Sequence, residues 1–453
     1  MLSQQFKRWT ASDQYFAAHT QHDIWEWILR GAIVGSLILM AYLAVSGRML
    51  LPLIHAAETH HWLKTIARPS LIWAMAGTVL LVFRTYLWFS YRPASPASMA
   101  DAPTLTVIIP AYNEGPMVGK AIDSVVAADY PRDRLEIFVV DDGSKDDTWE
   151  HIQNAVQRNA HLVTAVRFAK NLGKRAALEA GFRQARGDVV VTIDSDSVIE
   201  SKTLLAMAGP FRNPRIGAVA GKVAVYNRRQ GLIPRMLHVR FILSFDLLRA
   251  VQSTYGTVYC CPGALAAYRA SVVRQILADW VGQTFLGAPC TYGEDRALTN
   301  FILDRGYDTV YQRNAVVHTV VPSTYSKLCK MYLRWDRSYV REEIRFASIV
   351  WKRPLGARLI AIVDAVITNL RYPLGYLALV ALAVLALNDP LTIVRVLIAM
   401  AVMTALNMLY YLRSERSWDF VFGILYAYFS FFALFWIFPY ALATVRARSW
   451  LTR

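Results

Sequence analysis

From Gly31 to Gly47 the chain reads GAIVGSLILMAYLAVSG, without one charged side chain. With Trp25, Trp27 and Ile28 just before it, this run approaches the roughly 20 apolar residues that a bilayer core demands. A second run, LIWAMAGTVLLVFRTYLWF from Leu71 to Phe89, is broken only by Arg84. The first run begins too far from Met1, and lacks a small-residue cleavage site close behind it, to read as a signal peptide, so an anchor is expected. Three further apolar stretches follow late in the chain, roughly Leu359 to Leu387, Leu391 to Leu412 and Phe420 to Val445. The first of these carries Asp364, Asn369 and Arg371, polar groups suited to an interface or to the wall of a channel.

The middle of the chain has another character. After a Pro-, Ser- and Ala-rich linker, YRPASPASMADAP, apolar runs alternate with helical patterns: TVIIPAY, GKAIDSVVAA, LEIFVVDD, TWEHIQNAVQRN, LVTAVRFA, KRAALEAGFRQA and DVVVTIDSD. Such alternation predicts a doubly wound α/β domain with a largely parallel sheet. Ligands in these sheets bind beyond the carboxyl ends of the strands, and those ends carry Asn113-Glu114, Asp141-Asp142 and Asp194-Asp196. The expected organisation is residues 1–90 with two spans, a linker at 91–103, the α/β domain over 104–326, an amphipathic region at 327–356 and a C-terminal membrane region at 357–453.

A formal charge of +16 does not point to nucleic acid, because the basic residues are scattered or sit beside apolar segments, where bilayer topology and anionic headgroups account for them. Four cysteines, Cys260, Cys261, Cys290 and Cys329, show neither zinc-finger nor disulfide spacing, which fits a reducing cytosolic face. Two amphipathic stretches, Leu232 to Val251 and Lys327 to Phe346, could lie at the membrane interface or pack on the α/β core. The histidines of HAAETHH, His55 to His61, lack convergent acids and are not read as a metal site.

The strand DVVVTIDSD ends on two carboxylates one residue apart, where repulsion and desolvation both oppose it. Asp194 and Asp196 at the turning end of a strand can close on one divalent cation, and hard oxygen ligands favour Mg²⁺ or Mn²⁺ bridging a diphosphate. A lone Asp-x-Asp is more often a solvated turn, so its neighbours decide. NLGKRAALEAG puts Lys174 and Arg175 at a helix start suited to a diphosphate, or to plain solvation. In TYGEDRALTN, Asp295 beside Glu294 is either a helix cap or a general base. Arg334-Trp335 joins a cation to an indole on which a sugar ring can stack, or which can sit in an interfacial belt.

The order of VIIPAYNE, VVDDGS, GKR, DSDS, CCPGALAAYR, QTFLGAPCTYGEDRALTN and RWDRSYVRE resembles the processive family 2 glycosyltransferases, above all hyaluronan synthases and the chitin oligosaccharide synthases of nodulation-factor assembly. The resemblance covers about Thr106 to Glu343 and implies a GT-A type domain set between transmembrane helices. It further implies that Tyr112 and Glu114, with Asp141 and its neighbour Asp142, hold the uridine of a UDP-sugar donor, and that Lys174 and Arg175 contact its diphosphate. Asp196 with Asp194 would bind the metal, and Asp295 would deprotonate the acceptor hydroxyl. Arg334 would stabilise the leaving diphosphate and Trp335 would floor the site for the growing polysaccharide, with Glu294 and Cys261 near the acceptor. The implied enzyme sits in the inner or plasma membrane with its catalytic domain cytoplasmic, uses UDP-GlcNAc with UDP-GlcA, and secretes a β-linked chain. The alternatives are a chitin-type enzyme using UDP-GlcNAc alone and a nonprocessive transferase acting on a lipid phosphate. Two positions depart from the family pattern: Met331 stands where Gln is usual before the Arg-Trp pair, and Ala264 stands where Pro usually follows Gly263.

Overall fold

The strand Leu105–Ala111 is buried at all seven positions in the computed structural model, which describes residues 24–46 and 64–447. A strand covered on both faces is apolar at nearly every position, which is why its sequence runs without alternation; the buried exception, Thr106, donates its hydroxyl to Glu136. In chain order the strands are β1 (Leu105–Ala111), β2 (Leu135–Asp141), β3 (Val163–Arg167), β4 (Val189–Thr192), β5 (Ser197–Ile199), β6 (Ile216–Val225), β7 (Ala266–Arg269), β8 (Thr284–Phe285), β9 (Ala288–Pro289) and β10 (Asp308–Thr319). Eight of them form one sheet in the order β3-β2-β1-β4-β7-β6-β10-β5, and β8 and β9 form a separate hairpin.

The half of the sheet read from the sequence is parallel: β1 pairs with β2 and β4, and β2 with β3. The other half is mixed, because β7 runs antiparallel to both β4 and β6, and β5 antiparallel to β10. Alternate side chains of the parallel strands serve opposite layers. Val107, Ile109, Ile137 and Val139 join one core with the helices Met117–Val126 and Thr148–Arg158, while Phe138 and Val140 pack with Ala177 of the helix Lys174–Gln184. The carboxyl ends of β1, β2 and β4 therefore open on one edge, between two helical layers.

Leu232 to Val251 packs on this core. Its α-helix Leu232–Phe241 passes through a π-helical turn, Ile242–Leu247, into a second α-helix, Leu248–Thr254, and Leu237 and Phe241 enter the main hydrophobic cluster. The wider turn brings Asp246 inward, where its Oδ1 accepts from Arg313 Nε at 2.6 Å and from the Tyr311 hydroxyl at 3.1 Å. The Arg313 guanidinium lies 5.9 Å from the Trp88 ring and 5.1 Å from that of Tyr91.

By its contacts the chain divides into two units, residues 1–82 with 372–424, and residues 83–371 with 425–453. In the first, the helix Ile24–Val45 packs with Leu391–Glu415, and Arg413 bonds Glu26 at 2.7 Å. In the second, the interface helix Tyr325–Ile349 buries Leu328, Met331 and Leu333 in the main core and packs against the helix Ile437–Ala443. Also within it, Arg84 bonds Asp364 at 2.8 Å and Thr368 at 2.7 Å, so the charges that interrupt two apolar runs are each other's partners.

Among the described residues, three helices are long and apolar enough to cross a membrane: Ile24–Leu43, Leu355–Leu387 and Leu391–Glu415. The second expected N-terminal span lies in the helix Lys64–Ser90, whose described apolar part, Met75–Ser90, is shorter than a full crossing. The expected last span is two helices, Phe420–Ala433 and Ile437–Ala443, bent by 49°. Residues Leu434, Ile437 and Ala441 pack into the main core, which pulls the second helix off the line of the first. His55 to His61 and the end of the basic tail fall outside the described residues.

Asp246→Asn would leave the half-buried Arg313 cation without its fully buried counter-charge. We expect a loss of about 3 kcal/mol, seen as a lower apparent melting temperature of the detergent-solubilised protein; unchanged melting would refute this role.

Candidate active site

The edge beyond β1 and β2 is built from two loops zipped together. Asn113, in the left-handed region at φ 52°, donates its N–H to Ser144 Oγ at 3.0 Å and accepts from the Lys145 N–H at 2.9 Å. The Thr148 hydroxyl accepts from the N–H groups of Glu114 and Gly115, both at 2.8 Å. Asp141 is fully buried, accepts from the Ser144 N–H at 3.0 Å through Oδ1, and has Arg167 Nε 3.0 Å from Oδ2. Tyr112 and Glu114, half-buried, stand at the end of β1 beside it. Asp142 does other work: its carboxylate accepts from the N–H groups of Leu172 at 2.7 Å and Gly173 at 2.9 Å, clamping the turn that starts the helix Lys174–Gln184.

That clamp aims Lys174 into the site. Its ammonium lies 2.5 Å from Asp194 Oδ1 and 3.1 Å from Glu294 Oε1. Burial alone would depress this amine, but the two carboxylates outweigh burial and raise it above its usual range. Arg175 is turned elsewhere, donating to the Trp280 carbonyl at 2.6 Å and to Gln283 Oε1 at 3.1 Å, with its guanidinium 4.9 Å from the Trp280 ring. The expected cation pair is thus split: Lys174 faces the acids and Arg175 ties the helix start to the segment after Trp280.

Asp196 is buried, and its Oδ1 accepts from Ser197 Oγ at 3.1 Å and Thr319 Oγ1 at 3.2 Å. Among the described residues no group of three or more His, Cys, Asp or Glu side chains could hold a metal unaided. Two carboxylates, one of them paired with an amine, nonetheless fit an ion that would take its remaining oxygens from a diphosphate. Gly263 leaves the room: a Cβ there would lie 2.8 Å from Lys174 Nζ and 3.3 Å from Asp194 Oδ1.

Glu294 and Asp295 open the helix Glu294–Asp304. Asp295 Oδ2 accepts from the Gly263 N–H at 3.1 Å, with Cys260 Sγ 3.7 Å away, and Oδ1 accepts from the Arg296 N–H at 2.7 Å. Burial, then the Glu294 charge, push the Asp295 carboxyl above the usual carboxylate range. Burial also works on Glu294, but Lys174, joined by Arg334, holds it below its ordinary value. The two neighbouring acids are thereby driven apart, one firmly ionised and one poised to take a proton. Cys261 is a packing residue: it is fully buried, its N–H bonds Thr299 Oγ1 at 3.0 Å, and burial pushes its thiol up to about 12.

The interface helix supplies the remaining wall. Trp335 keeps 38% of its surface exposed, while Phe241, Phe245 and Tyr332 close around it with ring centroids at 6.0, 6.4 and 5.7 Å. Positions 334, 338 and 341 fall on one helix face. Ser338 abuts Gly293, and Arg341 donates to the Tyr292 carbonyl at 2.6 Å. The fully buried Glu342 accepts from Gln283 Nε2 at 2.9 Å and from Asn300 Nδ2 at 3.0 Å. Ser338, Arg341 and Glu342 went unassigned in the sequence, although helical spacing from Arg334 reaches the first two. Met331 is nine-tenths buried in the main cluster, so that departure from the family pattern is a packing residue here.

A sheet that opens its strand ends on a half-buried Lys-Asp-Glu-Asp cluster, flanked by an exposed indole, is the GT-A fold of a glycosyltransferase. The chain matches glycosyl transferase family 2 over residues 106–277. It is 31% identical to an N-acetylglucosaminyltransferase of Azorhizobium caulinodans over 78% of this chain and 87% of the relative. It is 32% identical to one of Rhizobium meliloti over 80% and 84%, and 34% identical to a hyaluronan synthase of Streptococcus pyogenes over 61% and 66%. A mannosyltransferase from Pyrobaculum calidifontis, solved with GDP-Man and Mn²⁺, shares the fold at a TM-score of 0.56 and 23% identity, covering 80% of this chain and 96% of its own. The protein belongs to family 2 of the glycosyltransferases and resembles its processive members.

Gly293 has φ 72°, and a Cβ there would lie 1.8 Å from Ser338 Oγ and 2.6 Å from Ser338 Cβ. Gly293→Ala is therefore expected to displace the Glu294-Asp295 turn and to lower turnover about 100-fold while UDP affinity, read by calorimetry, is kept. Wild-type turnover would show that the turn tolerates the change.

Proposed function

We propose that this protein is a membrane-embedded, inverting, processive glycosyltransferase that builds a β-linked polysaccharide from UDP-GlcNAc. The observation that carries the reading is the half-buried Asp295 carboxylate, held by the Gly263 and Arg296 N–H groups and raised in pKa, beside the Lys174, Asp194 and Glu294 cluster. Tyr112, Glu114 and Asp141 bind the uridine, and Lys174 meets the diphosphate. Asp194 and Asp196 would hold Mg²⁺ or Mn²⁺, which when bound neutralises charge on the departing diphosphate. Trp335 floors the acceptor sugar and Arg334 supports the leaving group. Asp295 takes the proton of the acceptor hydroxyl as that oxygen bonds the anomeric carbon and the carbon–oxygen bond to UDP breaks. One base and one displacement invert the configuration, and no covalent intermediate is needed.

The cytosolic face supplies donor, and the C-terminal apolar helices carry the product outward. The N-acetylglucosaminyltransferases of Azorhizobium caulinodans and Rhizobium meliloti match over 78% and 80% of the chain, against 61% for the hyaluronan synthase, which supports UDP-GlcNAc as the donor. Alternation with UDP-GlcA is a second reading, supported by the 34% identity to that hyaluronan synthase.

The test is UDP release by the purified protein in detergent, with Mn²⁺ or Mg²⁺, from UDP-GlcNAc alone, UDP-GlcA alone and both together, with sizing of the product. Turnover on UDP-GlcNAc alone, lost with EDTA and restored by either ion, is expected. Turnover only with both donors and a hyaluronidase-sensitive product would establish the second reading, and release into a lipid product of one sugar would overturn processivity.

Asp295→Asn should cost about 10³-fold in turnover. Because burial and Glu294 raise the Asp295 carboxyl, its base form is lost as pH falls through that raised value, so the acid limb of kcat should lie above the ordinary aspartate range. Glu294→Gln removes the like charge and should move the limb to lower pH; a limb that stays in place would deny Asp295 its role.

A further inference from the structure

We infer that Glu343 is a positioning residue for the Asp295 base, gripping the base-bearing helix and the first C-terminal apolar helix in one carboxylate. The inference rests on Asp295 acting as the base. Asp295 Oδ1 is held by the backbone N–H of Arg296, so whatever fixes Arg296 fixes the direction of the carboxylate. The Arg296 side chain ends on Glu343 Oε1, and its guanidinium lies 4.6 Å from the Tyr339 ring. Both members of the ion pair are largely buried, with side-chain exposures of 16% and 17%. The second Glu343 oxygen accepts from Asn369 Nδ2 at 3.2 Å, and Asn369 Oδ1 accepts from the Tyr339 hydroxyl at 2.7 Å.

Four side chains from three helices thus close a polar ring: Arg296 from Glu294–Asp304, Tyr339 and Glu343 from Tyr325–Ile349, and Asn369 from Leu355–Asn388. A charged pair set this deep is costly to desolvate and worthwhile only with good geometry and further hydrogen bonds, which Asn369 and Tyr339 provide. Arg341 grips the Tyr292 carbonyl ahead of the base and Glu343 grips Arg296 behind it, so the turn is held from both sides by the helix that carries Trp335. The Glu343 arm is the one that continues into an apolar helix, through Asn369.

The experiment uses the full-length protein in detergent with UDP-GlcNAc, comparing Glu343→Gln, Asp295→Asn and the double variant. Glu343→Gln is expected to lower kcat about 10-fold with donor KM within about twofold of wild type. Adding it to Asp295→Asn is expected to change the residual turnover no further, because a residue that acts through the base has nothing to act on once the base is gone. Wild-type kcat in Glu343→Gln, or a loss that multiplies with that of Asp295→Asn, would overturn the positioning role. A fall in kcat matched by a rise in donor KM and lower melting would assign Glu343 to general stability instead. If Asp295→Asn keeps its turnover, the base assignment itself fails, whatever Glu343 does.

Discussion

Everything at the active edge depends on one ammonium group. Asp194, Glu294 and Asp295 converge in a half-buried region, where three carboxylates repel one another unless a cation sits among them. Lys174 supplies that cation and spends its short contacts on Asp194 and Glu294, leaving Asp295 as the acid it serves least. The order follows from the backbone. Asp142 holds the turn before Lys174, and the absence of a side chain at Gly263 leaves the space in which the ammonium and Asp194 meet. The strand ends and the start of the helix Glu294–Asp304 therefore share one electrostatic centre.

How much of this is legible in the sequence depends on how local the cause is. β1, β2 and β4 are readable because burial on both faces writes a mostly apolar run, and their parallel pairing follows from the intervening helices. β7 is not, since AAYR is short and owes its antiparallel place to strands far away in the chain. The acids at the strand ends are visible as types, but their division of labour is not: Asp141 takes the Ser144 N–H and Arg167 while the next residue clamps the turn before Lys174. Lys174 and Arg175 look equivalent as a pair of cations. A helix start turns consecutive side chains about 100° apart, and the Trp280 carbonyl captures the second.

The apolar ends of the chain show the same limit. Hydropathy finds the helices Ile24–Val45 and Leu391–Glu415, since their composition alone makes them membrane-compatible. It counts Phe420 to Val445 as one segment because every residue there suits lipid, yet Leu434, Ile437 and Ala441 have a protein core to enter and the helix breaks to reach it. Composition records what a segment can dissolve in; tertiary contacts decide which solvent it takes.

The helix Tyr325–Ile349 shows how the Trp335 indole and the Asp295 carboxylate keep their separation. Positions 334 and 341 are seven residues apart, about 10 Å along a helix at a rise of 1.5 Å per residue. Trp335 sits near one end of that rigid span, and the grips of Arg341 on Tyr292 and Glu343 on Arg296 occupy the other. A loop could carry the same side chains, but it would let the sugar platform drift relative to the carboxylate, and a drift of about 1 Å is enough to cost two orders of magnitude in rate. Building the platform and the clamp into one helix converts an alignment problem between distant segments into the fixed geometry of a single hydrogen-bonded rod.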